Sequence, residues 1–107
     1  MNDLDEINEL LLEHNCVKSI FIEFEEQEMQ YSLVLTMADS ELLGSKKIRY
    51  VFDDIASLGV QKFGGGLNQF MHLKISKIDC GYDKAKYELR DEEGGGVYFT
   101  FSSLSKS

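Results

Sequence analysis

Residues 46 to 70, KKIRYVFDDIASLGVQKFGGGLNQF, limit the fold more than any other stretch of the chain. Ile48, Tyr50 and Phe52 alternate with Lys47, Arg49 and Val51. A period of two places each set on its own face of a β-strand. Asp53 and Asp54 end that strand, and Leu58, Val60 and Phe63 supply a second, shorter apolar set. Gly64, Gly65 and Gly66 then permit a positive φ and close backbone approach, which predicts a tight corner before a new element near Leu67.

The flanking sequence extends this β pattern. Leu4, Ile7, Leu10, Leu11 and His14 recur at helical spacing, with Asp3 as N-cap and Asp5 and Glu6 in the first turn. This predicts an amphipathic helix over about 3–14. Residues 17–25 and 28–37 read as two strands joined around Glu26 and Gln27. That register pairs Phe24 with Met29, Ile22 with Tyr31 and Ile20 with Leu33, and it sets Glu25 against Glu28. Phe21, Glu23 and Glu25 share the opposite face of the first strand. Strands are also expected at Leu73–Ile78, at 85–91 with Ala85, Tyr87 and Leu89 inward, and at 97–101 with Val97, Phe99 and Phe101 inward. Turns fall at Asp79–Asp83 and Asp91–Gly96, and residues 102–107 read as a frayed tail. The connections are too short for parallel crossovers. The expected fold is therefore α+β in a single domain, 1–107, with the N-terminal helix packed on a mainly antiparallel sheet of about six or seven strands.

Charge is the next constraint. The formal net charge is −8. Residues 1–30 carry nine acidic residues against Lys18 alone, so they account for the whole excess. Such a field disfavours nucleic acid and anionic lipid, whose binding needs Lys and Arg, and favours cationic partners. Four glutamates within 23–28 are more than sheet stability would select, because opposed like charges destabilise a sheet. Glu23, Glu25, Glu26 and Glu28 are thus candidate binding residues, with Phe21 as an aromatic anchor. Asp53, Asp54 and the acids from Asp91 to Glu93 come next.

Catalytic and metal motifs are weak. A phosphate loop needs Lys and a hydroxyl after its glycines, and Leu67, Asn68, Gln69 and Phe70 follow Gly66. His14, Cys16, His72 and Cys80 include only one close pair, whereas structural zinc sites present two. No serine-hydrolase frame is present. The expectation is a protein that acts by binding, without metal, cofactor or enzymatic activity. The acidic start MNDLDEINELLL lacks the basic and apolar regions of a secretory signal. No run approaches the length of a membrane span, and the two cysteines show no C-x-x-C. A reducing cytoplasm is expected.

The order VFDDIASL, KFGGGLNQ and LKISKID resembles small bacterial immunity proteins, the antidotes of contact-delivered and other polymorphic toxins. Phe52, Ile55 and Leu58 match one step of that pattern. Gly64 to Leu67 with Gln69 match a glycine corner, and Leu73, Ile75 and Ile78 match the following strand. The likeness spans roughly residues 46–101. It implies stoichiometric, non-catalytic binding of a cognate toxin domain, a cationic nuclease in particular. The alternatives are an adaptor that self-associates through a sheet edge and a small enzyme or ligand-binding domain.

Overall fold

The computed structural model describes residues 4–78 and 86–106. Within them the fold is α+β, with one helix and eight strands in two antiparallel four-stranded sheets. The elements are α1 (Leu4–Glu13), β1 (Cys16–Glu25), β2 (Gln30–Ala38), β3 (Lys47–Asp53), β4 (Ala56–Val60), β5 (Leu73–Lys77), β6 (Tyr87–Asp91), β7 (Val97–Phe101) and β8 (Ser103–Lys106). The first sheet runs β1-β2-β3-β8 and the second β4-β7-β6-β5. The proposed cap Asp3, the 79–83 turn and Ala85 lie outside the described residues.

One apolar core joins the sheets. Leu33, Leu35, Met37, Ile48, Tyr50 and Phe52 come from the first, and Leu73, Ile75, Leu89, Val97, Phe99 and Phe101 from the second. Phe52 meets the rings of Phe99 and Phe101 edge-on, at centroid distances of 5.1 and 4.8 Å. Tyr87 stacks on Phe101. Leu11 of α1 is fully buried, and Leu4, Ile7 and Leu10 pack against the same core.

The chain changes sheets at two adjacent corners. It leaves β3 through Asp54, whose φ is +58°, and it returns from β7 through Ser102. Ser102 donates its N–H to the Asp53 carbonyl (3.0 Å) and its hydroxyl to Asp54 Oδ2 (2.9 Å). The Ser103 hydroxyl donates to Asp53 Oδ2 at 3.3 Å. The two acids that end the β3 pattern therefore tie one crossing to the other.

Helix α1 seats against β5, an edge of the second sheet. Asn8 forms the join. Its Nδ2 donates to the Ile75 carbonyl (3.1 Å), and its Oδ1 accepts from the Ile75 N–H (2.8 Å). An Asn amide offers one donor and one acceptor side by side, as a neighbouring strand would. It occupies the open edge of β5, where unpaired backbone would otherwise invite another chain.

Three expectations require correction. First, the hairpin register lies two residues away from the expected one: Phe24 pairs with Tyr31, Ile22 with Leu33, Ile20 with Leu35 and Glu25 with Gln30. Glu25 and Glu28 are not opposed. A two-residue turn at Glu26–Gln27 would need positive φ at one or both residues, which favours Gly, Asn or Asp. A four-residue loop, Glu26 to Met29, forms instead and needs one left-handed residue, Met29 at φ +55°. A shift of two preserves the faces, so the predicted inward and outward sets survive. Second, residues 103–106 are not frayed but form β8 against β3, with Leu104 opposite Phe52. Third, the strands number eight and form two sheets of four in place of one sheet of about six or seven; the second apolar set after β3 forms the short strand β4, with every residue exposed. Ser57 at φ +57° and a register break between Ala56 and Gly59 bulge it.

The Asp91–Gly96 loop folds around a buried carboxylate. Asp91 Oδ1 accepts from the N–H of Glu93 (3.2 Å) and Gly94 (3.3 Å), and Oδ2 accepts from that of Gly96 (3.0 Å). A Cβ on Gly96 would lie 3.0 Å from the Phe70 ring, and Gly95 has φ +64°. At the other glycine run, Gly65 has φ +76°, and the Asn68 Oδ1 closes the corner by accepting from the Gly64 N–H at 2.7 Å.

Two outcomes are expected for stability. Gly65→Val and Gly95→Val each lower the denaturation midpoint, by at least the ~1–2 kcal/mol of a left-handed side chain, while Gly59→Val, with ordinary φ and open space at its Cβ, does not. Unchanged midpoints for Gly65→Val and Gly95→Val would show that neither corner needs glycine. Asn8→Ala removes both bonds to Ile75 and costs about 1–3 kcal/mol, measured by urea unfolding. A smaller loss would mean that packing alone holds α1 on β5.

Candidate functional site

The β1–β2 hairpin outruns the sheet it packs on. β1 has ten residues and β2 nine, whereas β4, β5, β6 and β7 have five each. At a rise of ~3.3 Å per residue this sets ~33 Å of strand against ~17 Å. The base of the hairpin is in the core, and the apolar side chains of its far half are only partly covered. Ile22 (43% exposed), Phe24 (40%) and Tyr31 (51%) lie on the core-directed face but stay accessible, as does Met29 (74%) in the loop. Phe24 and Tyr31 pack edge-on at 5.0 Å.

The opposite, outward face holds several of the sequence candidates. Glu23 pairs with Ser32, Ser32 with Asp53, and Asp53 with Ser103, giving one cross-strand row. The next row runs from Phe21 through Val34 and Val51 to Ser105. Phe21 is 57% exposed, so no second layer covers it. Glu25 lies one alternation further out, and its Oε2 accepts from the Ser32 hydroxyl at 3.2 Å. Phe21, Glu23, Glu25 and Asp53 thus share one uncovered face, and Glu26 and Glu28 extend it into the loop. Asp54 is drawn into the corner with Ser102, and Asp91 into its own loop.

The electrostatics of the two sheets differ. On the second sheet, Glu88, Arg90 and Tyr98 compensate one another. Arg90 bridges Glu88 at 3.2 Å and approaches Glu92 at 4.0 Å. Its guanidinium lies 5.6 Å from the Tyr98 ring centre, and the Tyr98 hydroxyl donates to Glu88. On the first sheet, Glu23, Glu25, Glu26, Glu28 and Asp53 have no ion-pair partner among the described residues. Arg49 lies on the same face two rows away, opposite Thr36. The acids of residues 1–30 do not form one patch: Asp5, Glu6, Glu9 and Glu13 belong to α1 beside β5, and the four glutamates belong to the hairpin.

The other candidates are structural in this arrangement. The Nδ1–H of buried His14 donates to the Leu10 carbonyl at 2.8 Å. Buried Cys16 accepts from Gln69 Nε2 at 3.5 Å, where Gln69 bridges to β1. His72 is exposed in a turn, and Cys80 lies outside the described residues. Among the described residues no three His, Cys, Asp or Glu side chains converge on a possible metal position, and no helix is long and apolar enough to cross a membrane. Comparison with known protein families, curated proteins and solved structures finds no match.

Residues at this exposed face contribute little to folding. Phe21→Ser, and separately Glu23→Lys with Glu26→Lys and Glu28→Lys, are expected to leave stability within about 0.5 kcal/mol of the parent. Chemical denaturation checks this; a larger loss from Phe21→Ser would mark Phe21 as a folding residue.

Proposed function

We propose that the chain is an immunity protein, which neutralises a cognate bacterial toxin domain by stoichiometric, non-catalytic association in the cytoplasm. The toxin domain is cationic, and a nuclease fits best, because such enzymes carry basic surfaces for their nucleic-acid substrate. The observation that carries this reading is the contrast between the sheets. One face pairs Arg90 with Glu88, while the other presents glutamates without ion-pair partners among the described residues beside exposed Phe21. An exposed aromatic with a charged rim is the usual composition of a binding surface. Unpaired acids also accelerate encounter with a basic partner, up to ~10⁸–10⁹ M⁻¹s⁻¹ at low salt. The likeness of residues 46–101 to immunity proteins points the same way.

The test uses the toxin domain encoded beside this chain. Association rates are measured across a salt series for the parent and for Glu23→Lys/Glu26→Lys/Glu28→Lys. Glu25 is left in place because it holds Ser32. The variant is expected to associate at least tenfold more slowly at low salt, with a flatter salt dependence, since rim charges act mainly on k_on. Coincident curves for two proteins that both neutralise the toxin would remove the hairpin from the site. Absence of binding to any neighbouring toxin domain would remove the immunity reading.

A further inference from the structure

The far half of the hairpin does not stand free. Asp54 turns the chain back across it, and the Ile55 N–H donates to the Tyr31 carbonyl at 3.1 Å. Ile22 and Tyr31 from the hairpin and Ile55, Ala56, Ser57 and Leu58 from the crossing segment enclose an open apolar groove of about 250 Å³. Phe24 packs edge-on against Tyr31, one of the lining residues. Described non-glycine residues with positive φ number four, and two of them belong to the crossing segment: Ser57 lines the groove and Asp54 precedes Ile55, which also lines it. Such backbone persists only where its surroundings hold it, and it is concentrated at binding sites.

We propose that this groove is an anchor subsite for a cationic protein partner. It takes one aliphatic or aromatic side chain of the partner, flanked in the partner's sequence by lysine or arginine. The inference rests on the reading of the acidic hairpin as a binding element and adds the apolar half of that element. The lining supplies side-chain contacts on both walls. Glu26 and Glu28, in the loop that connects Phe24 to Tyr31, are exposed and without ion-pair partners among the described residues. They can receive the flanking cations. The same charge selects against a second copy of this chain: two hairpins meeting groove to groove would bring four loop glutamates together. Like charges across an interface oppose association. A basic partner gains where a second copy loses.

The chain contains no Trp, so indole fluorescence reports only on an added peptide. The probe is a pentapeptide with one tryptophan between pairs of lysines. Its controls replace the tryptophan by serine, with binding read by competition against the tryptophan peptide, or the lysines by glutamates. The parent protein is expected to blue-shift the indole emission of the lysine–tryptophan peptide and to bind both controls at least tenfold more weakly. Ala56→Phe fills the groove from an exposed position, and Leu58→Ser strips one wall. Each is expected to weaken peptide binding about tenfold while thermal unfolding stays cooperative, so misfolding of one variant leaves the other to decide. Glu26→Lys with Glu28→Lys is expected to weaken it similarly and to remove its salt dependence.

Undiminished binding to folded Ala56→Phe or Leu58→Ser would overturn the proposal. So would equal binding of the serine peptide, or no binding of the lysine–tryptophan peptide. Dimerisation of the parent in sedimentation, abolished by Ala56→Phe, would give the groove to a second copy and overturn it too. The peptide assay contains no toxin. Its failure removes the groove alone, whereas failure of the parent to bind a neighbouring toxin removes the immunity reading alone.

Discussion

The contact between Phe52 of β3 and Phe99 and Phe101 of β7 fixes how the two sheets face each other. All three rings are fully buried. Each contributes about 1.5–3 kcal/mol by leaving water, and edge-on pairing adds about 0.5–1.5 kcal/mol per pair. Their place in the chain gives this contact its wider influence. Phe52 is followed by the Asp53–Asp54 corner, and Phe101 by the Ser102–Ser103 corner. Bringing the rings together therefore brings the two sheet crossings together, and the serine–aspartate hydrogen bonds lock them. Once Phe52 is placed, Leu33 and Ile22 are in the same cross-strand row. Beyond that row Phe24 and Tyr31 are only partly covered.

Partial cover of this kind has a cost that the rest of the chain limits. Apolar side chains that could have been buried remain in water, and the crossing segment that partly shelters them uses left-handed non-glycine residues. Elsewhere the chain closes its weak points locally. Asn8 occupies the β5 edge, β8 covers the far side of β3, and Arg90 pairs with Glu88 on the second sheet. The contrast argues that the hairpin tip is left open because contact there has a use, since the same local devices were available to close it.

Much of this was legible in the sequence because period-two patterns report faces directly. The inward sets of β3 and β7 are buried where alternation puts them, as is Leu89 of β6, with Tyr87 half-buried against the same core, and Phe21, Glu23 and Glu25 do share a face. Register was less legible, because a shift of two keeps every face unchanged; only the turn chemistry of Glu26–Met29 separates the two pairings. β8 was hidden because SLSK has one apolar residue, Leu104, and owes its order to the open edge of β3. Burial of alternate apolar residues was overestimated for the hairpin tip. A correct reading needed a comparison of strand lengths, ten and nine residues against five, before assigning Ile22, Phe24 and Tyr31 to the core. Asn8 gave no signal at all, since its partner is backbone 67 residues away.

The placement of the glutamates follows from the same geometry. An exposed apolar hairpin with a free edge at β1 is a hazard, for strands of that kind pair with one another. Charge on the edge strand and in the turn opposes such pairing, because every encounter between two copies brings like charges together. Glu23, Glu25, Glu26 and Glu28 occupy these positions. Lysines would have protected the edge equally well, and that alternative separates protection from recognition. An edge guarded by lysine repels basic surfaces, whereas one guarded by glutamate draws them in. The four hairpin glutamates carry half of the net charge of −8, and their sign is the property that self-protection alone leaves undetermined. The cationic partner proposed for the groove and its rim would account for that sign.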